Sequence, residues 1–174
     1  MRIDMSVHVA AARAAAAANP LQRPVTLQPI PSSAHYMNVR ELLTATQWKR
    51  LRDPLAEDAG NCCELCGGRG ERWPTECHEW WDYDDQTHTA RLRRLIILCP
   101  NCHHMQHFGF FGGIGVLSEQ DVINYLVAIN QWSTVQSRAH IKEAQTTWAE
   151  RSQYQWQINT DAIALDIDDA PWLR

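Results

Sequence analysis

Two Cys-x-x-Cys knuckles, Cys63-Glu64-Leu65-Cys66 and Cys99-Pro100-Asn101-Cys102, constrain this chain more than any other feature. Four thiolates spaced in this way suit one tetrahedral Zn²⁺. One knuckle is a weak signal; two are a strong one. The six cysteines would also fit three disulfides in a secreted protein. The knuckle spacing argues instead for reduced thiols and a cytoplasmic location. Cys63, rather than the adjacent Cys62, has the two-residue gap to Cys66. A structural ion at Cys63, Cys66, Cys99 and Cys102 contributes on the order of 10 kcal/mol of folding free energy.

The segment between the knuckles must return the chain to its starting point, and a β-hairpin does that. The sequence predicts a strand over 72–81, a polar turn at 82–86 and a returning strand over 91–98. Pro100 then occupies the first turn of a helix running to about Phe108. Upstream, Thr44-Ala45-Thr46-Gln47 is a capping box that starts a helix bearing Trp48 and Leu51. Asp53-Pro54 kinks or restarts that helix, and Gly60 ends it. Downstream, Ser118 caps a helix with Val122, Leu126 and Ile129 on one stripe. Ser133-Thr134-Val135-Gln136 caps another, and the two form a helical hairpin. Tyr154, Trp156 and Ile158 alternate as a short strand.

These elements give an α+β fold: a small zinc-stabilised ββα core with a flanking N-terminal helix and a C-terminal helical hairpin. Residues 1–36 read as a poorly ordered arm, either an extended arm lying on the domain or a disordered tail, because the alanine run lacks a cap and Pro20, Pro24, Pro29 and Pro31 break regular structure. Residues 37–115 form the zinc-bound domain. Residues 116–174 form a helical extension with an acidic tail. No stretch reaches the roughly 18 apolar residues of a membrane span.

Four further residues carry chemistry. Cys77, His103 and His107 are available once the four-thiolate site is filled. His103 and His107 lie four apart, so they share a helix face. Three protein ligands and an open position are what a catalytic metal needs. The second metal would be Zn²⁺, Mg²⁺, Mn²⁺ or Ni²⁺. His78 sits opposite Cys77 on the strand, so a bulge is needed to swing its imidazole toward bound phosphate as general base. Glu76 and Glu79 flank the pair, as helpers or as solvated surface groups. Net charge is −4, which disfavours an extended nucleic-acid surface. A local patch of Arg69, Arg72, Arg91, Arg93 and Arg94 could still bind phosphates.

The stretch Cys63–His107, with Glu76-Cys77-His78-Glu79 between its knuckles, resembles the HNH (ββα-metal) endonucleases with a zinc-ribbon frame. The stretch from Asn38 to Ile158 looks like small bacterial HNH endonuclease-like proteins with this Glu-Cys-His-Glu core. The resemblance implies a metal-dependent endonuclease that hydrolyses DNA phosphodiester bonds. It gives Cys77, His103 and His107 the metal and His78 the base role, with a homodimer or protein partner possible. Two positions depart from the family pattern. A cysteine stands where the family has Asp or His, and Arg94 lies where its middle Asn falls. The alternative expectation is a catalytically inactive zinc-stabilised module that binds DNA or protein.

Overall fold

The computed structural model describes residues 5–21, 24–34, 38–113 and 115–165. Its centre is an antiparallel hairpin of β1 (Glu76–Asp84) and β2 (Thr89–Leu98). The strand β3 (Gln157–Asn159) adds to β2 in parallel, giving the order β1-β2-β3 and leaving β1 at an edge. Around the sheet lie α1 (Met5–Ala18), α2 (Ala45–Asp58), α3 (Pro100–Gln106), α4 (Phe108–Gly113), α5 (Glu119–Asn130) and α6 (Thr134–Arg151). The mixed α/β content agrees with the α+β expectation.

The hairpin explains an odd stretch of sequence. Pairing runs Trp80↔Arg94 and then Trp81↔Leu92, so Arg93 is an extra residue on β2. This bulge reverses the facing of β2. Leu95 and Ile97 before it, and Ala90 and Leu92 beyond it, therefore all join one core with Trp81, Leu51 and Leu55. Ile96 and Leu98 pack on the other face with Leu65 and Val25, around the cysteines. A third cluster joins Met105 of α3 to Val122, Ile123 and Leu126 of α5 and to Ile141 and Ala144 of α6.

The two predicted capping boxes form at Thr44 and Ser133, and the predicted cap at Ser118 is a third box, completed by Asp121; each side chain accepts the N3 backbone N–H. Pro54 stays inside α2. The 72–81 strand starts only at Glu76, because Gly70 N–H bonds to Pro74 carbonyl (3.0 Å) and turns the intervening residues. The glycine-rich segment after His107 is helical as α4.

The N-terminal arm differs most from expectation. Residues 5–18 form a helix that buries Met5 and Ala12 and packs Val9 on the first core. Positions 5, 9 and 12 share a helix face, and alanine lets that face approach closely. Arg13 forks onto Asp58 of α2 at 2.6 and 2.9 Å. The proline-rich stretch that follows is an extended strap. Asn130 receives the Val25 N–H (2.7 Å) and donates to the Val25 carbonyl (2.8 Å). Leu27 N–H donates to His140 Nε2 (3.0 Å). Prolines break helices but do not prevent a chain from being pinned by its neighbours. Of the acidic tail, residues 166–174 lie outside the described residues, while Ile163 and Leu165 before them are buried in the core. No helix among the described residues is long and apolar enough to cross a membrane.

Candidate metal centres

Cys63, Cys66, Cys99 and Cys102 converge with their sulphurs within 4.8 Å of one another. Backbone bonds set the knuckles first. Gly67 N–H reaches Cys63 carbonyl (2.8 Å) and Cys63 N–H reaches Gly68 carbonyl (2.9 Å). Gly67 holds φ +73°, which a side chain would strain. Cys99 caps α3, its sulphur accepting the Cys102 N–H. Glu64, between the first two cysteines, ties the knuckle to β2. Its carboxylate takes Ile97 N–H (2.8 Å) and the Arg94 guanidinium (2.5 Å).

The thiols are free. Cys66 and Cys99 sulphurs lie 3.7 Å apart, far beyond a disulfide bond. Zn–S bonds of about 2.3 Å in a tetrahedron place sulphurs about 3.8 Å apart. The cluster therefore has the dimensions of a zinc site. The hydrogen bond with Cys102 lowers the Cys63 thiol pKa, and the same contact together with burial raises that of Cys102. One dication would let all four ionise.

The second group is His78, His103 and His107, with one ring nitrogen from each within 4.8 Å of the others. Ring centroids are 5.1 Å (78–103), 4.7 Å (78–107) and 4.8 Å (103–107) apart. His103 comes from α3 and His107 is the residue that caps the helix one turn on, its N–H bonded to the His103 carbonyl, so the two lie close together. His78 faces that helix directly from β1. The bulge lies beyond it, at Trp80/Trp81, and is not what aims it.

Cys77 is the residue turned away. One step along β1 its side chain faces the opposite side. It packs on the core that contains Leu51 and Trp81, and burial pushes its thiol pKa well up. Its sequence-based assignment as a ligand is corrected here: His78, not Cys77, completes the triad.

His78 is 1 % exposed, and neither ring nitrogen has a hydrogen-bond partner. An unsatisfied buried polar group costs about 1–3 kcal/mol. Burial, then His107 and His103, drive its pKa well below the usual histidine value, so the ring is neutral. One ring nitrogen from each of three histidines, all within 4.8 Å of one another, is a donor set that Zn²⁺ and similar ions accept. The residues therefore fit a metal.

Glu76 supplies the outer support. One carboxylate oxygen bonds His103 Nδ1, and the other accepts the Trp73 indole N–H (3.0 Å). The His103 contact is the main cause of the lowered Glu76 pKa. A carboxylate on the far nitrogen fixes a ligand histidine's tautomer and orientation. Glu76→Gln is expected to weaken metal binding at the histidines about 10- to 100-fold and to leave the thiolate site loaded. Titration with a metal indicator would read both. The Trp73 loop is itself held close. A Cβ at Gly70 would lie 2.7 Å from Pro100 Cδ. Gly70→Ala should cost about 1–3 kcal/mol by overpacking, read as a lowered denaturation midpoint.

The triad opens on a cleft of about 560 Å³ along the free edge of β1. Arg40, Arg52, Trp48 and Trp73 line it. Glu79 accepts the Val39 N–H (3.1 Å), fixing to β1 the turn that carries Arg40. Burial raises the Glu79 pKa. Neither arginine carried a signal in the sequence, since each comes from a segment far from the cysteines.

The five arginines expected to bind nucleic acid do not form one patch. Arg94 is buried on Glu64, and that assignment is corrected: its guanidinium is committed inside the fold. Arg93 bonds Asn19 (3.1 Å) and reaches Asp82 (3.4 Å). Arg69 donates to the Gly60 carbonyl (2.8 Å). Arg91 is exposed. Arg72 lies 5.0 Å over the Trp73 ring, nearest the cleft. Comparison with protein-family models, curated proteins and solved structures finds no match. The residues alone therefore carry the functional reading.

Proposed function

We propose that this protein is a metal-dependent phosphodiesterase acting on nucleic acid, built on an HNH-like ββα unit. The observation that carries this reading is the buried, unpartnered His78 facing His103 and His107 at the end of an arginine-lined cleft. His78, His103 and His107 would hold the ion. A divalent ion bound there lowers the pKa of a coordinated water and offsets charge developing on phosphate oxygens. The chain's own part is positional and electrostatic. Glu76 directs the His103 lone pair inward. Arg40 attracts the phosphate and neutralises its oxygens; Arg52 lines the same cleft but shares its charge with Asp53, to which it donates at 2.6 and 3.0 Å. Buried His78 stays neutral and so serves as a ligand; the general-base role expected of it is given up in this reading.

A second reading is a zinc-stabilised binding module without turnover. It is favoured by Arg94, which occupies the neighbourhood of the family's middle Asn and is locked to Glu64. Cleavage assays separate the two. Zinc-loaded protein is incubated with plasmid and with labelled oligonucleotides in added Zn²⁺, Mg²⁺, Mn²⁺ or Ni²⁺, beside His103→Ala. The phosphodiesterase reading expects cleavage with at least one ion and none above background in the variant. Cleavage with no ion, or equal cleavage by the variant, overturns it.

A further inference from the structure

We infer that the cleft takes an unpaired nucleotide, with its base stacked on Trp73, so that the ligand is a single-stranded polynucleotide rather than a duplex. This inference rests on the reading that the histidine centre acts on phosphodiesters. Three observations carry it. Trp73 is 48 % exposed, yet it is not free to move. Its indole N–H is fixed to Glu76, and the Gly70–Pro74 bond closes the turn that bears it. A large apolar ring held open to solvent beside a metal centre is a ready platform for another flat ring.

Cations accompany that ring. Arg72 lies over it, Arg40 lines the same cleft, Arg52 does so while paired with Asp53, and Trp48 forms a second aromatic wall. Interleaved arginine and tryptophan is the chemistry that tracks a single strand: phosphates meet guanidinium groups and bases meet indoles. Size supplies the third argument. About 560 Å³ is the range of a small-molecule site, far narrower than a duplex. Bases within a duplex are stacked on each other, and drawing one out costs a few kcal/mol. An unpaired strand avoids that cost. Stacking reads no base edge, so the sugar and sequence matter little.

The test uses the full-length, zinc-loaded protein. Fluorescent ten-nucleotide oligo-dT and oligo-rU, phosphorothioate-linked to resist hydrolysis, are titrated by anisotropy beside a duplex of equal length. Both single strands should bind alike and at least about tenfold tighter than the duplex. Trp73→Leu should weaken single-strand binding about tenfold. Trp73→Phe keeps a ring but loses the bond to Glu76, and should stay within about threefold of wild type. Arg40→Ala should lower affinity and reduce the salt dependence by about one phosphate contact. Zinc content and circular dichroism confirm that each variant folds. Equal or tighter duplex binding overturns the inference, as does an unaffected Trp73→Leu. Loss in Trp73→Phe equal to that in Trp73→Leu overturns stacking and leaves the indole only its hold on Glu76. A preference above about tenfold for one sugar overturns the stacking-only recognition. Binding without cleavage of unmodified strands would sink the phosphodiesterase reading alone, and cleavage confined to duplex would sink this one alone.

Discussion

Cys99→Ser is expected to abolish zinc binding at the knuckles and with it the cooperative unfolding of the protein, whereas Cys62→Ser should leave both intact. A structural zinc contributes on the order of 10 kcal/mol, comparable to the whole stability of a domain. The packing explains why no reserve replaces it. Cys63, Cys99 and Cys102 are themselves the centre of the second core, with Leu65, Ile96, Leu98 and Val25 around them. Cys99 also caps α3, the helix that carries His103 and is capped at its other end by His107. Loss of the ion therefore undoes the histidine site too. Cys62, by contrast, reaches only Gly60 carbonyl and Arg69. Native mass spectrometry counts the zinc, and chemical denaturation reads the cooperativity.

His78→Leu is expected to have opposite effects on stability and activity. With zinc at the thiolates alone, the variant should be more stable than wild type by about 1–3 kcal/mol, because it removes two buried ring nitrogens that bond to nothing. Metal saturating the histidine site should reverse the order. At 1,000 times the dissociation constant, bound ligand stabilises wild type by about 4.1 kcal/mol and the variant by nothing. Hydrolysis should vanish in the variant throughout. The stability gap has a pH sign as well. The folded His78 pKa lies below its unfolded value, near 6.5. The unfolded chain therefore takes up a proton more readily. Wild-type stability from this group is intact above about pH 6.5 and falls as pH drops through the folded value. The advantage of His78→Leu should widen in acid. Denaturation midpoints at several pH values, with and without added metal, measure all of this. A variant less stable than wild type under every condition would mean that His78 is held by packing, not poised for an ion.

The contrast between what local sequence discloses and what it hides follows from range. Thr44, Ser118 and Ser133 were legible as helix starts because each cap and its partner lie three residues apart. The four thiolates were legible because a tetrahedral ion demands short paired spacings, and His103 and His107 because a helix repeats every turn. Phase along a strand is a different matter. Whether Cys77 or His78 meets α3 depends on which face of β1 packs toward that helix, and alternation alone leaves both options open. Arg40 and Arg52 reach the cleft through tertiary packing, with Glu79 holding the turn that bears Arg40. The stripe Met5, Val9 and Ala12 was present in the N-terminal sequence, but alanine-rich faces look featureless until a partner surface is known.

The central claim is that two metals share one ββα unit: four sulphurs hold the fold, and three imidazoles leave a coordination position open. Anomalous diffraction at the zinc edge from crystals grown with excess Zn²⁺ tests it most directly. Two peaks are expected, one centred among Cys63, Cys66, Cys99 and Cys102 and one among His78, His103 and His107. A single peak at the cysteines, or a second one away from His78, would contradict it.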